Sequence, residues 1–142
     1  MIYTKLTKKA MEIAEKGYYK QVDKYGIPYI FRVFDIAEKM DDEVTTCVAL
    51  LYELLNKTNI KLNKLAQDFS SDIINAIEVL NKDDRDLHSE YIEKIKNNTL
   101  ARKVKLEELL YDIDKMRNEN QMLYDDELME TYLMSYTVLK KE

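Results

Sequence analysis

The feature that most restricts the fold is the stretch CVALLYELLNKT at residues 47–58. Its apolar side chains cover nearly every side of a helix, which predicts a buried helix packed among other elements. Glu53 interrupts this apolar run. Burial of a carboxylate is unfavourable unless another group pairs with it. The partner of Glu53 is therefore the first question that the sequence raises.

A helical spacing of apolar residues continues along the whole chain, and no stretch shows the alternation typical of strands. Two Gly and one Pro in 142 residues leave few helix breaks. We therefore predict an all-α single domain over residues 1–142, with about seven or eight helices. The third helix is predicted to have Asp41 or Asp42 as its N-cap and to run to residue 57. The other predicted helices cover residues 4–21, 28–40, 61–68, 72–80, 90–96, 99–117 and 125–140.

The composition is that of a soluble globular protein, with 35% charged and 46% hydrophobic residues. A formal charge of −5 argues against nucleic-acid binding, which needs a basic face. No apolar run approaches the roughly 20 residues that cross a bilayer, and the N-terminus lacks the apolar core of a signal peptide. We expect a cytoplasmic protein that binds neither nucleic acid nor membrane.

Cysteine and histidine each occur once. Cys47 lies inside the apolar run, so we expect a buried structural thiol and no internal disulfide. His88 lies in the polar stretch NKDDRDLHSE, where we expect a loop residue without a catalytic role.

Three stretches together resemble successive motifs of the HD-domain superfamily, a group of metal-dependent phosphohydrolases. They are QVDKYGIPYIFRVFDIAEKM at residues 21–40, CVALLYELLNKT at 47–58 and NNTLARKVKLEEL at 97–109. The similarity is greatest to the branch that contains the guanosine tetraphosphate (ppGpp) hydrolases. It covers residues 5–117, and the helix at 125–140 matches only as a generic closing helix. The resemblance implies an HD-type helical bundle. The framework residues that carry it are Gln21, Gly26, Pro28, Tyr29, Ile30, Ala49, Leu50, Leu51, Thr58, Leu100, Ala101, Arg102, Val104, Lys105 and Leu106.

Enzymes of this family hold a divalent metal ion with a His on the second helix, a His-Asp doublet on a central helix and a later Asp. The metal ion then activates water for attack on phosphorus. The resemblance places these former metal-ligand positions at Arg32, Tyr52, Glu53 and Glu108. Arginine is always protonated and cannot bind a metal ion, and a phenol is a poor ligand. No histidine occurs before His88. We therefore expect no metal ion and no other cofactor.

The acidic pair that positions or deprotonates the water in these enzymes corresponds to Asn56 and Lys57 in this chain. Neither residue is an acid, so the resemblance predicts no catalytic residue here.

A remnant of the substrate pocket is implied at four positions: Tyr18, Lys105, Tyr111 and Asp112. The two tyrosines would stack on a base, and Lys105 would approach a phosphate. Packing in the core or at its boundary is the preferred explanation for the tyrosines, and solvent exposure explains Lys105 equally well.

Arg32 is also a candidate partner for Glu53. We hypothesise that Arg32 forms an ion pair with Glu53, Glu108 or both, because a guanidinium group suits two carboxylates. Two simpler interpretations compete with this one. Glu53 and Lys57 are four residues apart and could form an exposed helical pair. Glu108 and Asp112 have the same spacing and could lie on a solvated helix face or form a new acidic metal site.

Three functions remain open. The leading one is a non-catalytic HD-type protein that binds a nucleotide or a protein partner. The second is an active phosphohydrolase with a carboxylate site rebuilt from Glu53, Glu108 and Asp112. Such a site would bind Mg²⁺ or Mn²⁺ and act on guanosine tetraphosphate or a similar nucleotide. The third is a structural role in which the last helix forms a homodimer face from Met122, Met129, Tyr132, Met134 and Tyr136.

Overall fold

The computed structural model describes residues 1–118 and 123–141. These residues form helices and loops, with one isolated β-bridge between Val22 and Pro28 and no strand among the described residues. The all-α class is therefore confirmed. The helices are α1 (Lys5–Gly17), α2 (Tyr29–Glu38), α3 (Glu43–Leu51), α4 (Leu54–Lys57), α5 (Leu62–Leu65), α6 (Ser71–Leu80), α7 (His88–Lys96), α8 (Thr99–Asn118) and α9 (Asp126–Lys140).

Helix α3 is the central element, as the apolar run predicts. It contacts α1, α2, α6 and α8, and every residue from Thr45 to Leu51 is buried. The helix starts at its predicted cap, where the Asp42 carboxylate accepts a hydrogen bond from the backbone N–H of Thr45. Cys47 is buried, and burial raises the pKa of its thiol to about 12. It is therefore the unreactive structural thiol that the sequence predicts.

The single helix predicted to run to residue 57 is interrupted after Leu51. Tyr52 and Glu53 keep near-helical dihedral angles, but the next helical turn, α4, begins only at Leu54. The amide of Asn81 donates a 2.9 Å hydrogen bond to the carbonyl of Tyr52. A side chain from α6's C-cap therefore satisfies a backbone group that a continuous helix would satisfy internally. Glu53 therefore lies at the interruption between α3 and α4 and not within a continuous helix.

Helix α1 ends at Gly17, four residues earlier than predicted. The amide of Gln21 donates to the carbonyls of Gly17, at 3.0 Å, and Lys57, at 2.9 Å, which caps α1 and joins it to α4. A Cβ atom at Gly17 would lie 2.4 Å from Leu54 Cδ2, so glycine allows the two helices to approach closely. Lys20 then takes a left-handed conformation with φ of 65°.

Two other predicted boundaries also differ. Helix α5 is a single turn, shorter than the predicted 61–68, and α7 begins at His88 instead of residue 90. His88 is therefore the first residue of a helix and not a loop residue. Glu90 sets the start of α7, because its carboxylate accepts a hydrogen bond from the backbone N–H of Leu87.

Helix α9 closes the bundle against α7 and α8. Arg102 on α8 holds its C-terminal end, donating 2.6 Å hydrogen bonds to the carbonyls of Leu139 and Lys141. His88 Nε2 lies 2.9 Å from Ser135 Oγ on the buried side of α9. These contacts make α9 part of the same domain as the rest of the chain.

The residues predicted to form a dimer face on the last helix do not share one exposed surface. Met129 is buried, and Tyr132 and Tyr136 pack against the core. Met134 is 62% exposed, and Met122 lies outside the described residues. Nor does the described part of the chain contain a helix that is both long and apolar enough to cross a membrane.

Candidate functional site

Arg32 on α2 lies among three carboxylates. Its Nη2 atom is 3.2 Å from Glu53 Oε1, 2.9 Å from Glu108 Oε1 and 3.3 Å from Asp112 Oδ2. Its Nη1 atom donates to the other oxygen of Asp112. The predicted ion pairs of Arg32 with Glu53 and Glu108 are therefore confirmed. The third partner, Asp112, is one turn beyond Glu108 on α8.

Two more side chains complete this arrangement. The hydroxyl of Tyr29 donates a 2.6 Å hydrogen bond to Glu53 Oε2. Lys105 Nζ lies 2.6 Å from Glu108 Oε2. We call Arg32, Glu53, Lys105, Glu108 and Asp112 the ion cluster. Its side chains are at most 18% exposed, so two cations and three carboxylates interact with little screening by water.

The environment changes the proton affinities of these groups. Burial alone would lower the pKa of Arg32, but its three carboxylate neighbours raise it well above the usual range. Burial favours the protonated form of Glu108, yet Lys105 and Arg32 outweigh it and lower its pKa to about 2. Burial raises the pKa of Glu53 and of Asp112, and Arg32 opposes this rise at both residues. The guanidinium thus holds the cluster together and stays charged.

The simpler interpretations of the acidic residues are wrong. Glu53 is buried and pairs with Arg32, so it is not the exposed partner of Lys57. Lys57 is exposed, with its Nζ atom 5.0 Å from the ring centroid of Tyr29. Glu108 and Asp112 do not lie on a solvated face, because their side chains are 8% and 18% exposed. The helical spacing of apolar residues did not reveal the burial of these two acids. Helix α8 packs against α2, α3, α6, α7 and α9, so its polar positions are also covered.

A metal ion does not fit among these groups as they stand. The carboxylate oxygens that a cation would need already contact a guanidinium, which has no lone pair to offer a metal. Among residues 1–118 and 123–141, no group of three or more His, Cys, Asp or Glu side chains is arranged to hold a metal ion.

Tyr52 and Tyr18 are buried beside the cluster. Neither hydroxyl has a hydrogen-bond partner among the described residues. Burial raises the pKa of both phenols, and Glu108 and Glu53 raise that of Tyr52 further. Both are therefore neutral, so Tyr52 adds no charge to the cluster. The ring of Tyr18 packs on that of Tyr29, with a centroid distance of 5.3 Å.

A cleft of about 310 Å³ opens beside the ion cluster. Of the four residues predicted for a remnant pocket, Tyr111 and Asp112 line it. Tyr18 and Lys105 are instead directed into the protein interior, against Tyr29 and Glu108 respectively. The full lining is Val22, Asp23, Lys24, Tyr25, Tyr29, Arg32, Lys57, Tyr111, Asp112, Lys115 and Tyr132.

Sequence reasoning missed several of these lining residues. The loop from Val22 to Tyr25 follows α1, and Tyr132 comes from α9. The loop lies inside the stretch QVDKYGIPY that carries the family resemblance, which was an available signal. Nothing in the spacing of α9 indicates that Tyr132 reaches the cleft.

The three basic side chains between residues 102 and 105 all have partners within this chain. Arg102 binds the end of α9, Lys103 pairs with Asp41, and Lys105 pairs with Glu108. His88 contacts Ser135 and is not a lining residue of the cleft.

Comparisons with known proteins bear on the fold and on the family resemblance. No family model matches the chain. In an alignment of 98 residues that covers 66% of the chain, it is 30% identical to the guanosine-3′,5′-bis(diphosphate) 3′-pyrophosphohydrolase of Borreliella burgdorferi. The chain spans only 14% of that protein's length.

A solved structure is also similar. It is that of a metazoan ortholog of SpoT, described as hydrolysing ppGpp, and it matches with a TM-score of 0.76 over 98% of this chain and 85% of that one. At 16% identity this likeness concerns the fold. The chain therefore has the fold that the resemblance implied, an all-α, single-domain HD-type helical bundle.

Proposed function

We propose that this chain is a non-catalytic relative of the HD phosphohydrolases that binds a nucleotide in the cleft beside the ion cluster. The observation that carries the proposal is the position of Arg32 Nη2, within 3.3 Å of carboxylate oxygens from three side chains. A fixed organic cation stands where the resemblance puts a metal ligand.

The chemistry of the residues argues against hydrolysis. Water attack on phosphorus in this family depends on a metal ion that lowers the pKa of bound water. A guanidinium compensates the negative charge of the carboxylates, but it cannot coordinate water as a Lewis acid. Lys57 occupies the position of a water-positioning acid, and an ammonium group cannot accept the proton.

The cleft suits a nucleotide better than a peptide. Its volume of about 310 Å³ lies in the range of small-molecule sites. Tyr25, Tyr111 and Tyr132 offer aromatic faces for a base, and Lys24 and Lys57 offer ammonium groups for phosphates. The Borreliella relative is named for a guanosine bis(diphosphate) substrate, and we extend that ligand class to this cleft.

Binding and turnover can be tested together. We would titrate the purified chain with guanosine 3′,5′-bis(diphosphate) by calorimetry and follow pyrophosphate release with excess Mn²⁺. We expect saturable binding without product. Lys57→Ala should weaken binding by about tenfold, as expected for one lost charge-assisted contact. Lys8→Ala, at an exposed lysine outside the cleft, should leave binding unchanged.

Two outcomes would overturn the proposal in different ways. Mn²⁺-dependent pyrophosphate release, lost in Glu53→Gln or Glu108→Gln, would establish the rebuilt carboxylate enzyme. Absence of binding would remove the nucleotide and favour a protein partner.

A further inference from the structure

A second concave surface, outside the cleft, lies between α2 and α8. We call it the α2–α8 groove, and it has a volume of about 760 Å³. Phe31 is 60% exposed at its edge, and Leu110 is 42% exposed on the facing helix. Ile36 and Ile113 form its buried floor. Large exposed apolar side chains around one groove are typical of an interaction surface.

The charges around this groove are balanced. Three acids and three bases line it: Asp35, Lys39, Glu107, Asp114, Lys115 and Arg117. The chain as a whole carries a formal charge of −5, which opposes self-association over most of the surface. The groove is a region where that repulsion is absent.

An acid and a base follow Phe31 along the exposed side of α2. Phe31, Asp35 and Lys39 follow one another at four-residue spacing and are all exposed. Within the described ranges, neither Asp35 nor Lys39 forms an ion pair, although both are charged. An acid and a base four residues apart lie on the same helix face.

We propose that the α2–α8 groove binds a second copy of this chain about a twofold axis, with the two α2 helices antiparallel. In a twofold contact each residue pair occurs twice. With the axis midway between Asp35 and Lys39, the Asp35 of each copy faces the Lys39 of the other. Phe31, one turn before Asp35, then lies one turn beyond the Lys39 of the second copy, at the end of its α2.

Charge complementarity favours this occupant over another protein. A strongly acidic or basic segment would meet like charges at half of the ionic positions, whereas a second copy presents the same groove in inverted order. Opposite charges that meet across an interface fix its register, and like charges disfavour it.

The test is a charge exchange measured by sedimentation velocity over a wide range of chain concentration. The average mass of the wild type should rise from that of one chain toward that of two. Asp35→Lys or Lys39→Asp alone should weaken association by about tenfold or more, because each creates two like-charge contacts. The double variant Asp35→Lys/Lys39→Asp restores both pairs and should associate like the wild type.

Two controls separate this contact from other effects. Glu93→Lys makes the same charge change at an exposed residue of α7, and Lys57→Ala alters the cleft. Both should associate like the wild type. A wild type that stays monomeric, or single variants that associate like it, would overturn the proposal. Failure of the double variant to recover would overturn the antiparallel register. No nucleotide is present, so the result is independent of the proposed function.

Discussion

Arg32 Nη2 lies 2.9 Å from Glu108 Oε1, joining two residues that are 76 positions apart in the chain. The contact links α2 to α8 at a point where both side chains are nearly enclosed. Glu53 and Asp112 bind the same guanidinium from α3's end and from α8. One arginine therefore fixes the relative positions of three helices through charge, in addition to their apolar packing.

Arg32→Met should destabilise the fold strongly. Met keeps an unbranched apolar stem but is shorter and uncharged, so three largely buried carboxylates lose their shared cation, which costs about 3–5 kcal/mol for a broken buried pair. Urea unfolding measures the free energy directly. Combining the change with Glu53→Gln and Glu108→Gln should recover much of the loss, because the unpaired charges are then removed.

Arg85→Met, at an exposed arginine paired with Asp83, is the matched control and should have no measurable effect. A loss below about 1 kcal/mol for Arg32→Met would contradict the central role of the cluster.

Glu108 should make stability depend on pH in acid. Its pKa is lowered from 4.5 to about 2 in the folded chain, so the unfolded state takes up the proton first as the pH falls. The contribution is therefore complete above about pH 4.5 and is lost toward about pH 2, and it amounts to roughly 3 kcal/mol.

Comparison with Glu108→Gln tests the direction of this change of stability with pH. The variant should be less stable than the wild type at neutral pH by roughly that amount, and the difference should shrink as the pH falls below about 4.5. Glu108 raises the pKa of Glu53 and of Asp112, so both carboxyls titrate at lower pH in the variant, which partly opposes this change. A difference that is independent of pH would show that packing, and not charge, is responsible.

Asn81→Ala should destabilise the interruption between α3 and α4. The Asn81 amide donates to the carbonyls of Tyr52, at 2.9 Å, and Ile77, at 2.7 Å. Removing the amide leaves the backbone carbonyl of the buried Tyr52 without this partner, which costs about 1–3 kcal/mol. Thermal or urea unfolding would report the change, with Asn63→Ala at an exposed position as the control. Equal stability of the two variants would mean that the carbonyl is satisfied in another way.

His88 should remain neutral to lower pH than an ordinary histidine. Burial, together with Lys105 and Lys82, lowers its pKa from 6.5. The Ser135 hydroxyl donates to the carbonyl of Thr131, so His88 Nε2 must donate to Ser135 Oγ. Nuclear magnetic resonance of the chain's single histidine should show the Nε2–H tautomer and a midpoint below 6.5. Stability should fall as the pH decreases through this range, because the unfolded chain binds the proton more readily. Ser135→Ala should move the midpoint, because the contact with Ser135 orders the imidazole ring. An Nδ1–H tautomer of His88 in the wild type would contradict the hydrogen bond from Nε2 to Ser135.

Local sequence determined much of the helical framework. Apolar spacing predicted α3 as the central helix, and the cap at Asp42 was one of the two expected. Two boundaries failed where a contact with a residue distant in the sequence contributes. Gln21 ends α1 by bonding to Gly17 and Lys57, and Asn81 supports the break after Leu51. Lys57 is 36 positions from Gln21 and Tyr52 is 29 positions from Asn81, so no local window contains both members of either pair.

The candidate site divides in the same way. The sequence by itself put Glu53 in an apolar stretch, and this required a cation nearby because an isolated buried carboxylate is unfavourable. The family resemblance, which puts Arg32 at a former metal-ligand position, led to Arg32 as that cation, and the structure has the ion pair. Only the tertiary structure decided that Asp112 joins the pair and that Lys105 is directed to Glu108, not to the cleft. The fate of an acid or base on α8 depends on which helices enclose it, and helix packing is a property of the whole chain.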